Sequence, residues 1–249
     1  MPFSTLAHCC VSATLAALVL AACGGGGSDS PASNTPPAVT SATLTFPLAA
    51  AMADFLRQAK STPFTVAGTG SGNGQVIEFT GSGTSVEVNS SGTFNGLAAV
   101  VKNTTVTGSL LARGTSVPFT QSSSQFFDSN YKPLGASGPG AYCVFSAQTA
   151  LPTMVRIGDS GSYYAASCYA SSTRTTLLET VAITYALTQE SGSRAIFKLT
   201  SKSANAAGAT NSLSTNYSIS TDGVLRPTDT PLVGLSSGGV TVDAVMKFQ

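Results

Sequence analysis

The segment TTLLETVAITYALTQ, residues 175–189, alternates apolar and polar side chains, with Leu177, Val181, Ile183, Tyr185 and Leu187 on one side. Successive side chains of an extended strand point to opposite faces, so this run can bury one coherent face as a strand. A helix would scatter the same residues around its axis. The period of two returns in RAIFKLTSK, in NYSIS and VLRP, and in GGVTVDAVMKF, where Val240, Val242, Ala244, Met246 and Phe248 fall on one side. Turn formers separate these runs: ESGS, and TDG with Asp222-Gly223 supplying a left-handed residue. QVIEFTGSGTSVEVN reads as a further hairpin. A two-residue loop at Ser82-Gly83 would set Ile77 opposite Val88 and Phe79 opposite Val86. Alternation rather than unbroken apolar runs predicts sheets with one wet face. The expected fold is mainly β, with antiparallel sheets arranged as a sandwich or a curved half-barrel.

One stretch breaks the period. PLAAAMADFLRQAKS, 47–61, places Leu48, Met52, Phe55, Leu56 and Ala59 at helical spacing, with Pro47 in the first turn, where its missing N–H costs nothing. This predicts a single short N-terminal helix, ended by Ser61-Thr62-Pro63. The linker-like run LGASGPGA, 134–141, divides the body 43–249 into parts 43–137 and 138–249. Each part carries a strand and turn near its end, FFDSNYKPLG and YSISTDGVLRP, a pattern that permits a duplicated module.

The N-terminus has its own logic. VSATLAALVLAA, 11–22, is apolar, too short to span a bilayer and of the length of a signal-peptide core. It ends in Leu20-Ala21-Ala22-Cys23, which resembles the lipobox of bacterial lipoproteins. The resemblance implies cleavage by signal peptidase II after residue 22 and diacylation of Cys23. It also implies a flexible Gly/Ser/Pro tether over 23–42, spanning about 25 Å on average. In that family an aspartate after the cysteine favours inner-membrane retention; Gly24 here implies the outer membrane. The globular part resembles uncharacterised Ser/Thr-rich β lipoproteins of Gram-negative bacteria, through VRIGDSGSYY, AITYALTQESGSRAIFKLT and NYSISTDG. On the lipobox reading, Cys9 and Cys10 leave with the signal peptide and Cys23 carries lipid. Cys143 and Cys168 remain, and in an oxidising compartment an even remainder predicts a disulfide.

Charge is sparse. Lys and Arg number 12 and Asp and Glu 11, together 9% of the chain, with no run of either sign. Nucleic-acid binding, which needs clustered cations, is therefore not expected. Several motifs suggest catalysis and fail on chemistry. Gly158-Asp159-Ser160-Gly161 matches the nucleophile tetrapeptide of trypsin-like proteases, but a serine needs a base, and the chain's single histidine is His8, within the signal peptide. The tetrapeptide reads instead as a turn before the strand SYYAASCY. Ser129 and Lys132 have serine–lysine spacing, but Pro133 and the flanking FFDSN argue for a turn. Glu78 and Glu87 would face each other in the hairpin register above, a pairing that carboxylate hydrolases use. GTGSGNG, 68–74, fits no phosphate-binding motif and reads as a strand end and turn. Asp128 with Asn130 is too little for calcium, and zinc lacks a ligand set.

The expectation is a non-enzymatic binding or structural module without a cofactor or metal, held to the membrane through Cys23. A carrier for an apolar ligand, closed by helix 47–61, and a carboxylate-based hydrolase are the alternatives. An envelope protein or an apolar ligand would be the partner. The lipobox gives a direct test: mass spectrometry of membrane-extracted protein should show a diacylglycerol adduct at Cys23 and no residues before it. A Cys23→Ser variant should leave the membrane fraction, and its full retention there would disprove lipidation.

Overall fold

The computed structural model describes residues 44–72, 74–146, 149–205, 208, 210–237 and 240–249, with the backbone alone over 231–237 and at 240. The segments expected to be a signal peptide (1–22) and a tether (23–42), with Cys23, lie outside the described residues. The chain enters through β1 (Thr45–Phe46), which pairs with β8 (Val155–Arg156) as a small two-stranded sheet. Helix α1 (Leu48–Arg57) follows. The long strands of the first half are β2 (Lys60–Gly72), β3 (Gln75–Phe94), β4 (Leu97–Ala112) and β5 (Thr115–Phe127). The shorter β6 (Pro133–Gly138), β7 (Ala141–Ser146) and β9 (Ser160–Tyr169) come next. The chain ends with β10 (Leu177–Ser191), β11 (Arg194–Asn205), β12 (Thr210–Ser220), β13 (Leu225–Ser237) and β14 (Val240–Phe248).

The expectation of antiparallel β structure with one short helix holds, but the sheet is neither a sandwich nor a half-barrel. Twelve strands form a closed barrel in the order β10-β11-β12-β13-β14-β2-β3-β4-β5-β6-β7-β9. Closure depends on non-local pairings. β14 runs along β2 from Val240 opposite Gly72 to Phe248 opposite Phe64, and β9 lies between β7 and β10. Alternation in sequence reports which face is buried. It does not report whether the first and last strands meet.

Several local expectations shift for identifiable reasons. QVIEFTGSGTSVEVN is no hairpin but the first part of one 20-residue strand, β3. Gly83 is there for space, not for a turn. A Cβ on it would lie 2.2 Å from Thr107 O and 2.7 Å from the Phe64 ring, which packs over it. LGASGPGA is likewise not a linker: it makes β6, a tight turn at Gly140 (φ +72°) and the start of β7. Strands from both proposed parts thus join one continuous sheet. Helix α1 stops at Arg57, and Lys60 of β2 already pairs with Glu87 of β3, so Ala59 is exposed and Ser61-Thr62-Pro63 lies within β2. Leu177 also leaves the inward set, because the β9–β10 register shifts between Leu177 and Glu179.

Inside, the barrel holds two apolar clusters. The larger surrounds α1: Met52, Phe55 and Leu56 pack with Phe127, Tyr164, Ile183, Leu199 and Tyr217. The smaller, with Phe64, Val66, Phe79, Leu213, Val242 and Phe248, is built from wall side chains alone. The outward positions of β2, β3 and β14 mix polar residues, among them Ser61, Thr65, Thr80, Ser82, Thr241, Asp243 and Lys247, with the exposed valines Val76, Val86, Val88 and Val245.

Cys143 and Cys168 stand directly opposite each other on β7 and β9, at disulfide-bonding distance with Cα atoms 4.0 Å apart, and both are buried. The bridge closes a loop with a sequence separation of 25. Loop-closure entropy gives it a stabilisation of about 3–4 kcal/mol. Denaturant unfolding of a Cys143→Ser/Cys168→Ser double variant should show a loss of that order. An unchanged midpoint would mean that the bridge contributes nothing.

Candidate functional site

The most chemically distinctive part of the molecule is the inner wall formed by β2–β5. Inward positions there carry Lys60 and Thr62 on β2, Ser85, Glu87 and Asn89 on β3, Lys102 and Thr104 on β4, and Ser123 and Gln125 on β5. The register makes them neighbours: Lys60 opposes Glu87, Glu87 opposes Thr104, and Lys102 opposes both Asn89 and Gln125. Across the lumen the wall is aromatic and aliphatic, with Tyr164, Ile183, Leu199 and Tyr217. Helix α1 lies between the two. Phe55 meets the edge of Tyr217 at 5.6 Å, while the helix C-terminus turns to the polar wall.

That C-terminus explains much of the polarity. The last carbonyls of a helix have no partner within it and carry partial negative charge. Lys102 Nζ donates to Leu56 O at 3.2 Å and to Gln58 O at 3.0 Å. Asn89 Nδ2 donates to Leu56 O at 3.2 Å and to Arg57 O at 2.8 Å. Lys102 and Glu87 are nearly inaccessible, at 1% exposure each, and their charges lie 2.6 Å apart between Nζ and Oε2. The contact is an ion pair rather than a directed hydrogen bond, since Oε2 accepts no aligned hydrogen.

Burial pushes the Glu87 carboxyl above the usual carboxylate range, against the pull of Lys102. Lys60 places its ammonium 3.0 Å from the centre of the Phe55 ring. Burial lowers it to about 7, with Glu87 opposing and Lys102 assisting by repulsion. Tyr163, Tyr164 and Tyr217 keep their phenolic protons well past the ordinary range, because the interior cannot solvate a phenolate.

The other candidate residues do not converge here. Glu78 and Glu87 are not opposed: they lie on opposite faces of β3, Glu78 exposed and paired with Thr69. The carboxylate pair therefore disappears with the hairpin that implied it. Gly158 (φ +93°) and Asp159 form a turn in which Asp159 Oδ2 accepts the Arg156 N–H, and Ser160 opens β9 exposed, opposite Ala186. Ser129 and Lys132 belong to the turn between β5 and β6, where Asp128 Oδ1 accepts the N–H groups of Asn130 and Lys132. GTGSGNG ends β2 and turns at Gly74 (φ +73°); Asn73 lies outside the described residues. Sequence reading missed Lys102. Its signal was a lysine in LAAVVKNTTV at a position of inward parity, decisive only once the register set it beside Glu87.

Lys60 gives the wall a measurable pH signature. Its folded value, about 7, is below its unfolded 10.5, so the unfolded chain holds more protons between them. This contribution to stability is complete above 10.5 and is lost as pH falls toward 7. Glu87 acts with the opposite sign from 4.5 upward, and the buried tyrosines reverse the trend above 10. Denaturation midpoints measured between about pH 7 and pH 10 should rise more steeply for the native chain than for Lys60→Met. Parallel curves would show that Lys60 titrates as an ordinary surface lysine.

No protein-family model matches the chain, and no curated protein or solved structure shows significant similarity to it.

Proposed function

We propose that the chain is a membrane-anchored lipoprotein of the cell envelope, carried at the outer membrane by Cys23, whose barrel acts as a non-enzymatic binding or structural module. The observation that carries this reading is a filled lumen. Among the described residues, the cavity beside helix α1 measures about 30 Å³ and is bordered by Met52, Leu56, Gln125, Phe127, Tyr164 and Thr215. Small-molecule pockets run to roughly 300–1,000 Å³, far more than this cavity offers to an acyl chain or a metabolite. Binding then falls to the outer surface, where Ser, Thr and Asn side chains dominate and charges are few. The lipobox and the tether-like composition of 23–42 support the anchor, and the hydroxyl-rich outer faces of the strands suit a barrel standing off the bilayer.

A carrier for an apolar ligand would require α1 to leave the lumen, and the polar wall behind it would then meet the ligand. Native mass spectrometry of protein extracted from envelopes separates the readings. The module should appear at the mass of the lipidated chain alone. A stoichiometric apolar molecule, also found on a Cys23→Ser form that has no acyl chains of its own, would favour the carrier.

A further inference from the structure

The polar wall carries more polarity than capping α1 requires. Thr62 Oγ1, Ser85 Oγ, Glu87 Oε2, Asn89 Oδ1 and Gln125 Oε1 are buried, and none has a hydrogen-bond partner among the described residues. Four of these residues are deeply buried, Thr62 at 0%, Ser85 and Glu87 at 1%, and Gln125 at 4% exposure. They form one patch: Thr62 opposes Ser85, Glu87 and Asn89 follow on the same face of β3, and Lys102 links Asn89 to Gln125. Glu87 Oε2 has the Lys102 charge beside it; the two cations nearby are otherwise committed. Lys102 Nζ donates to Leu56 O and Gln58 O and lies 2.6 Å from Glu87 Oε2, and the Lys60 ammonium lies over Phe55. Buried polar atoms in native proteins are almost always satisfied, by protein or by ordered water. Four such burials on one wall, with Glu87 Oε2 set aside as charge-compensated by Lys102, would still consume much of a domain's net stability.

We propose that this wall is a binding site for water-sized hydrogen-bond donors, water itself in the resting protein, bridging its oxygens to the last turn of α1. The chemistry of the site selects the occupant. Glu87, Asn89 and Gln125 offer acceptor oxygens and the two hydroxyls can also accept, so the missing partners are donors. Glu87 repels an anion, and the charges of Lys102 and Lys60 oppose a bare cation. At Gln125, the one residue of the patch that borders it, the cavity is about 30 Å³, and roughly 10–15 Å³ accommodates one water. The site goes beyond the module reading and does not depend on it.

The test turns on a sign. If the wall were dry, Thr62→Val and Gln125→Met would each remove an unsatisfied polar atom and raise the melting temperature. If donors bridge these atoms, each substitution strips a bound water of a partner and lowers it, by about 2–4 °C for a chain of this size. A rise or no change in both variants overturns the proposal. Should a variant fail to fold, a high-resolution crystal structure of the unaltered chain decides. Ordered solvent within hydrogen-bond distance of Ser85 Oγ and Gln125 Oε1 is expected, whereas direct side-chain bonds among the five oxygens, or an organic molecule on them, would refute it.

Discussion

Lys102 seated on the terminal carbonyls of α1 is the contact from which the interior of this barrel follows. A helix can enter a closed barrel only if its end is satisfied there, because buried carbonyls without partners are costly. One ammonium serves Leu56 O and Gln58 O, and the Asn89 amide serves Leu56 O and Arg57 O. An ammonium so deeply buried needs a counter-charge, and Glu87 supplies it at 2.6 Å. A buried pair of this kind adds little net stability compared with a well-packed apolar substitute, although removing one partner costs about 3–5 kcal/mol. Its contribution here is positional: it fixes where α1 ends and therefore where β2 begins.

The helix is present because of the width of the barrel. Around eight strands, wall side chains alone can fill the lumen; twelve strands enclose more space than that. The chain fills the space in two ways. In one part α1 is the filler, with Phe55 against Tyr217 and Met52 and Leu56 toward the opposite wall. In the other the wall itself closes in. Gly83 and Gly108 lack side chains where the rings of Phe64 and Phe119 fold over them. Phe64 and Phe119 then approach to 6.5 Å between ring centres.

This division explains what was legible in the sequence. The inward alternation of Val181, Ile183, Tyr185 and Leu187, the helical face of Leu48, Met52, Phe55 and Leu56, and the opposed Cys143 and Cys168 follow from local period or from simple counting. Gly83 misled because glycine has two uses, turning a chain and admitting a neighbour's ring. Within one strand nothing distinguishes them. The pairing of β2 with β14, the inner parity shared by Glu87 and Lys102, and the closing of the sheet are relations between distant segments. They exist only once registers are set. The lost Glu78–Glu87 pair shows how much rests on register, since a turn at Ser82-Gly83 would have opposed two carboxylates that the real strand places on opposite faces.

Closure also accounts for how so uncharged a chain tolerates strands of up to 20 residues. Open sheets protect their edges with lysines, prolines and inward charges, because an unpaired edge recruits other strands. With only 9% charged residues, this sequence has little such protection to place. A closed barrel has no edge to protect. Its outer face can then rely on short polar side chains bonded across strands: Asn103 between Ser90 and Ser124, Thr105 with Ser122, and Thr200 with Ser214. Such pairs stabilise neighbouring strands modestly, by about 0.2–1 kcal/mol each, and do not require counter-ions. A charge-poor exterior and a closed sheet are therefore two parts of one solution, and the helix held by Lys102 is what a closed sheet of this width needs inside it.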